Sequence, residues 1–235
     1  MVSPRDCKDN HSIFNQYSFF IMIKADAAVV GSVTQAAQLK SSEHGDCYEI
    51  SLKTAIPQKE GGVKEVFIFV KEPVNALVGL RSVALGQRVS INGSLLYNKK
   101  KDDKIYMNMT ATTIATVTDP AMGDTIEGTL HMIGVVGSKG ALVRNGKNGQ
   151  PFMNFSAYSG DGDKDNRVFT WVRFIRFSGD VEPFLTPKAL IEATGKMELQ
   201  YFQDKLSMGC KLSEVKQYVK KGGQAIPNAP ADAPF

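Results

Sequence analysis

Helical periodicity is nearly missing from this chain of 235 residues. Only residues 73–85 and 181–188 keep a short 3.6-residue pattern, so a helix-based fold is excluded. Cysteine is scarce too: Cys7, Cys47 and Cys210 stand far apart, odd in number and without a CxxC. With only three histidines, His11, His44 and His131, neither a disulfide framework nor a zinc site is expected, and the thiols fit a reduced, cytoplasmic protein. No GxxxxGK[ST], HExxH or nucleophile–His–acid arrangement occurs, so the chain reads as no enzyme, with no cofactor and no metal. The acidic stretch GDGDKDN (160–166) lacks the closing glutamate of a calcium loop. No apolar run is long enough to span a membrane. The nearest, SIFNQYSFFIMIK (12–24), is interrupted by Asn15, Gln16, Tyr17 and Ser18, and Asp6 and Asp9 stand where a signal peptide needs basic residues. It reads as an extension, and Met22 resembles a start. Excess charge is small: +4 net is compatible with a polyanionic partner without requiring one.

What is present is strand signal. Short runs of Val, Ile, Thr and Phe are broken by Gly, Asn, Asp and Lys clusters. The runs also repeat. VKEVFIFVK (63–71) matches NRVFTWVR (166–173), with Val66/Val168, Phe67/Phe169 and Val70/Val172 each 102 residues apart. RVSINGSLL (88–96) matches LIEATGKME (190–198), with Gly93 and Gly195 at the same offset. DDKIYMNM (102–109) matches QDKLSMGC (203–210) at 101. A constant offset through three blocks marks two copies of one module. The expected layout is an extension over 1–27, a first module over 28–117, a linker over 118–125, a second module over 126–219 and a disordered tail over 220–235, the last rich in Gly, Pro and Ala without periodicity. The short, turn-rich linker predicts modules that pack together.

Each module orders its strands alike: a first, a loop, a second, a third, a connector of about 15 residues suited to a short helix, a fourth with an internal glycine, and a hairpin to the fifth. Glycine inside a strand marks a bulge or bend. Five strongly bent strands with that connector describe an OB-fold barrel, so the fold class is all-β, two tandem OB-fold barrels. One strand is unusual. DNRVFTWVRFIRFSG (165–179) carries the chain's single tryptophan. At period two, one face holds Phe169, Trp171, Arg173, Ile175 and Phe177; the other holds Val168, Thr170, Val172, Phe174 and Arg176. Neither is cleanly polar, and periodicity alone does not choose which faces the core.

The second module resembles the bacterial and phage single-stranded DNA-binding proteins. The resemblance rests on IEGTL (126–130), NFSAYS (154–159), FTWVRFIRFSG (169–179), FLTPKALIEATGKMEL (184–199) and the terminal ADAPF. The first module shares it through the repeat. Two features depart from the family pattern: LTPKAL lacks the usual Lys-Gly turn, and two modules share one chain. The resemblance implies sequence-independent binding of single-stranded DNA in replication, recombination or repair. It places the family's stacking rings on Trp171 and Phe177, which turns that face outward and Val172 and Phe174 inward. Rings stack on bases and cations hold the backbone. By position, Phe169, Arg173, Phe155 and Tyr158 join them. So do Tyr201 and Phe202 at the four–five hairpin, and Arg144 and Lys147 in the one–two loop. In the first module, Phe69 and Lys71 replace Trp171 and Arg173, and Tyr97, Lys99, Lys100 and Lys101 form the four–five loop. Arg176 is expected at a barrel edge or module interface. The end, Asp232, Pro234 and Phe235, resembles the family's partner-recruiting tails, which bind replication and recombination proteins. Two modules per chain suit a homodimer or a monomer. The rival reading is a tandem OB-fold scaffold, structural or primosome-like, without strong DNA binding.

Overall fold

The computed structural model describes residues 23–41, 45–99, 104–161 and 168–219. Eleven strands account for most of them: β1 (Ile23–Lys40), β2 (Cys47–Pro57), β3 (Val63–Pro73), β4 (Arg88–Lys99), β5 (Ile105–Thr116), β6 (Thr125–Val136), β7 (Leu142–Asn145), β8 (Pro151–Asp161), β9 (Val168–Arg176), β10 (Leu190–Phe202) and β11 (Lys205–Gln217). The protein is all-β, as its composition and periodicity require.

The strand pairings close two circuits. In the first, β1 pairs with β2, β2 with β3, β3 with β5, β5 with β4, and β4 with β1 again. In the second, β6 pairs with β8, β8 with β9, β9 with β11, β11 with β10, and β10 with β6. Only β3–β5 and β9–β11 are parallel. Closing a sheet on itself removes its unpaired edges. Strand β7 lies outside the second circuit, hairpinned onto β8.

The repeat is visible in the register. Gly31 pairs with Val89 and Gly134 with Ile191. A bulge falls between Asn92 and Gly93 in one circuit and between Thr194 and Gly195 in the other. A β-carbon on Gly93 would lie 2.1 Å from the Thr110 carbonyl oxygen, and one on Gly195 would lie 2.1 Å from that of Lys211. The repeated glycine is therefore a steric requirement of the bend. Gly195→Ala is expected to destabilise the protein by about 1–3 kcal/mol, the usual cost of overpacking. An unchanged urea midpoint would contradict that assignment.

Antiparallel pairing of β1 with β6, from Ile23↔Met132 to Val30↔Thr125, joins the circuits. Equivalent positions Asp26 and Thr129 face each other there, so a local two-fold axis passes between them. One hydrophobic cluster runs through both circuits, from Leu52, Ile68 and Leu95 to Leu130, Phe174 and Ile191. The Tyr97 hydroxyl donates to Met197 Sδ across the joint at 2.6 Å. Arg88 ties down the linker through Asp124 (2.7 Å) and the Met122 carbonyl (2.8 Å). Burial, helped by Glu198, pushes the Cys210 thiol up to about 12, so it stays protonated and inert.

The sequence reading needs three corrections here. Residues 23–27 are not extension: they begin β1, with Ile23, Ala25 and Ala27 buried. The three–four connectors are not helical. The first holds only a 3-10 turn, Leu80–Ser82, and the second holds turns. Backbone sterics explain this. Leu77, Gly79 and Lys188 all have positive φ, which a right-handed helix excludes. Polar side chains hold the connectors instead. The buried Glu72 carboxylate accepts three backbone N–H groups, of Val78, Gly79 and Leu80, at 2.5, 3.1 and 2.7 Å. Arg176, at the end of β9, pairs with Glu182 at 2.5 Å and donates to the Asp180 carbonyl. Finally, Arg144 lies on a strand, β7, not in a loop.

Candidate nucleic-acid interface

Strand pairing decides which face of β9 looks outward. Val172 and Phe174 are fully buried. Phe174 stacks on Phe155 of β8, centroids 4.9 Å apart. Burying such side chains stabilises by roughly 1.5–3 kcal/mol each, enough to fix the parity. The alternate residues Phe169, Trp171, Arg173 and Ile175 then lie on the outer face, and the chain beyond β9 leaves Phe177 72% exposed. The β8 register sets Tyr158 opposite Trp171, Ser156 opposite Arg173 and Asn154 opposite Ile175. Strand β7 extends the surface, with Leu142 opposite Asn154 and Arg144 opposite Phe152.

The rings on this face are ordered. Tyr158 sits between two of them: its centroid is 4.9 Å from that of Trp171, tilted 56°, and 5.5 Å from that of Phe169, edge-on at 88°. Trp171 is half-buried and keeps an open side. A β-carbon on Gly137 would lie 3.1 Å from the indole edge, so glycine there lets the ring lie against the backbone. Beside the indole is a cleft of about 270 Å³, lined by Lys139, Arg144, Asn154, Ser156 and Arg173 among others. Lys139, Arg144 and Arg173 are exposed and form no ion pair among the described residues. A tryptophan with an open side, beside three such cations, can take a flat apolar group that carries negative charge.

The other residues singled out by sequence fall into different settings. Tyr158 is 6% exposed; it braces Trp171 and Phe169 and does not itself offer a face. Phe155 is core. Tyr97 is 6% exposed and lies at the joint between circuits, where burial raises its phenol pKa. Tyr97 lies on the inward parity of β4, two residues after the buried Leu95, whereas Tyr158 lies on the outward parity of β8 and is covered by Trp171 and Phe169. Lys147 is exposed in the turn after β7. Phe69 keeps 36% exposure beside Phe67 at 53%. Lys71 is 3.6 Å from Glu49 and Lys53 is 2.8 Å from Glu65, so these two cations of the first circuit's equivalent face have carboxylate partners. Tyr201 and Phe202, at the β10–β11 tip, meet the β2–β3 turn of the first circuit. The Lys59 amide donates to the Tyr201 carbonyl at 2.8 Å, Lys59 Nζ lies 4.4 Å over the Phe202 ring, and Lys64 pairs with Asp204 at 2.9 Å. Burial there raises the Tyr201 phenol pKa. Lys99, at the β4–β5 tip, donates to the Phe169 carbonyl at 3.5 Å. Lys100, Lys101, Asp232, Pro234 and Phe235 lie outside the described residues, as does most of GDGDKDN.

Sequence reasoning missed Phe67, Phe152 and Lys139. Phe67 was findable, since the repeat sets it 102 residues before Phe169. Phe152 and Lys139 become visible only once β7 folds back onto β8. Among the described residues no group of His, Cys, Asp and Glu is arranged to hold a metal ion, and no helix is long and apolar enough to cross a membrane.

No protein-family model and no curated protein matches the chain. Solved structures do. The single-stranded DNA binding protein from Thermus aquaticus is 13% identical, with a TM-score of 0.43, over 88% of this chain and 97% of its own. The small single-stranded DNA-binding protein from Streptomyces coelicolor is 18% identical, with a TM-score of 0.31, over 41% of this chain and 94% of its own. The PriB protein from Ralstonia solanacearum is 13% identical, with a TM-score of 0.28, over 38% of this chain and 97% of its own. The arrangement of the site's own residues carries the functional reading.

Proposed function

We propose that the protein binds single-stranded DNA without sequence preference, on the outer face of β7, β8 and β9. Each strand circuit is read as an OB-fold, and the chain as two in tandem. The observation that carries the reading is the half-open indole of Trp171 beside the exposed cations Lys139, Arg144 and Arg173. An unpaired nucleotide needs both elements: a π-face for its base, and donors for its phosphate. A duplex hides the base faces, so single strands are favoured. Every base has such a face, so sequence matters little. Coating and protecting exposed strands during replication, recombination or repair fits this chemistry, and no catalytic step is assigned. Partner recruitment by Asp232, Pro234 and Phe235, and assembly as a homodimer, belong to the same proposal.

A competition titration tests it. Oligo-dT is expected to displace a labelled single strand, and a duplex of equal length is expected to fail at the same concentration. Log affinity should fall with log salt at about −0.7 per phosphate held. Equal competition by duplex, or none by either, would defeat the reading; the second outcome is the one a protein-binding scaffold gives.

A further inference from the structure

Asparagine followed by glycine is the dipeptide whose side-chain amide the main chain attacks most readily, because glycine sets no side chain beside the attacking nitrogen. The chain has three: Asn92-Gly93, Asn145-Gly146 and Asn148-Gly149. Their settings differ. Asn92 and Gly93 lie inside β4 with ladder partners on both sides, in β1 and β5, and the Asn92 amide donates to Thr113 Oγ1 at 2.9 Å. Asn145 ends β7 opposite Pro151, and the Gly146 N–H that follows donates to the Gln150 carbonyl at 2.8 Å. Attack on the side chain needs rotation about the asparagine Cα–C bond, which a paired strand resists.

Asn148 has no ladder partner. It is exposed in the turn between β7 and β8, as is Gly149, which has a φ of 76° and open space around its Cα. The Asn148 side chain folds over its own turn: Oδ1 accepts the Gln150 N–H at 3.2 Å, an Asx turn. That bond polarises the carbonyl and steadies an oxyanion forming on it. The Gly149 N–H donates to the Gly146 carbonyl at 2.9 Å. A bond in an exposed turn opens at little cost.

We propose that Asn148 is a site of spontaneous deamidation, and that its conversion weakens the nucleic-acid face. The Gly149 nitrogen gives up its proton and attacks Asn148 Cγ. The N–Cγ bond forms, the Cγ–Nδ2 bond breaks, and Nδ2 leaves as ammonia with that proton. Water then opens the cyclic imide at either carbonyl, leaving aspartate or isoaspartate. Either product places a carboxylate next to Lys147, in the turn that follows Arg144. Lys147 and Arg144, like Lys139 and Arg173, are exposed and form no ion pair among the described residues. A new negative charge among them opposes a phosphate. The chemistry rests on the turn alone; the loss of binding rests on the single-strand reading above.

The test holds the full-length protein at mildly alkaline pH and samples it by peptide mass mapping, with urea midpoints to establish that it stays folded. The amide-to-acid mass gain is expected first at Asn148, later at Asn145 and not at Asn92. Asn148→Gln keeps an amide that closes a ring far more slowly and should abolish the early gain. Asn148→Asp is expected to weaken oligo-dT binding about two- to fivefold, the worth of one screened charge pair. Fully converted parent protein should lose at least as much, while Asn148→Gln held for the same time should keep its fresh affinity. An earlier gain at Asn145 or Asn92, or none in a time that converts a free peptide of residues 141–152, would overturn the assignment. If Asn148 converts but the aged protein and Asn148→Asp both bind like the fresh parent, the turn lies outside the face; the effect on binding is then wrong and the single-strand reading survives. If fresh protein binds no oligo-dT, that reading fails and the effect on binding with it, while the mass map still decides the deamidation.

Discussion

Trp171→Ala is expected to weaken single-strand binding by about 1–3 kcal/mol, the usual worth of one stacked base. The loss should exceed that of any single cation variant, because phosphate contacts are several and individually screened. Trp171→Phe keeps a ring and should recover much of the affinity. The stability cost should be smaller than the binding cost, since the indole is half-buried and the β9 core is held by Val172 and Phe174 on the other side. It should not vanish, because the indole covers Tyr158. Isothermal titration with oligo-dT, paired with urea unfolding, separates the two quantities. A variant that unfolds readily, while its folded fraction binds like the parent, would make Trp171 a packing residue.

The largest effect on stability is expected at Glu72. Its side chain is buried and accepts the N–H groups of Val78, Gly79 and Leu80, which helps seat Leu80 in the core. An alanine leaves those donors buried without an acceptor, at about 1–3 kcal/mol for each that water cannot reach. Glu72→Ala should therefore cost about 3–5 kcal/mol, while Glu72→Gln, which retains one acceptor oxygen, should cost less. The residue 102 positions on is Phe174, a core ring, so the second circuit has no counterpart and its binding face should be spared in protein that remains folded. Urea midpoints measure the cost. A shift worth under 1 kcal/mol for the alanine variant would mean that the connector does not depend on this carboxylate.

Much of the architecture was legible because a repeat constrains it. Gly93 and Gly195 share a bulge because both bends bring the backbone too near a neighbouring carbonyl for any side chain. The outward face of β9 was legible only through the family resemblance, since valine, phenylalanine and arginine occur on both parities. What stayed hidden depends on contacts distant in sequence. The connectors look weakly helical at Pro73 and Val181, yet Glu72 and Arg176 fix them as extended turns. Tyr97 looks like a loop residue until β4 is seen to run through it, and Tyr158 looks like a free ring until Trp171 and Phe169 pack against it. The loop carrying Arg144 gives no strand signal, because β7 owes its order to pairing with β8. The lysines near residue 99 belong by sequence to the first module; the crossing of the tips places Lys99 against the second.

The account's central claim is that the β7–β8–β9 face seats an unpaired base on Trp171. Since Trp171 is the chain's one tryptophan, its intrinsic fluorescence reports on that face alone. Titrating the protein with oligo-dT at low salt should quench the emission strongly and saturably, and added salt should reverse the quenching. Emission that stays constant while binding is detected by another method would place the nucleic acid elsewhere and contradict the account.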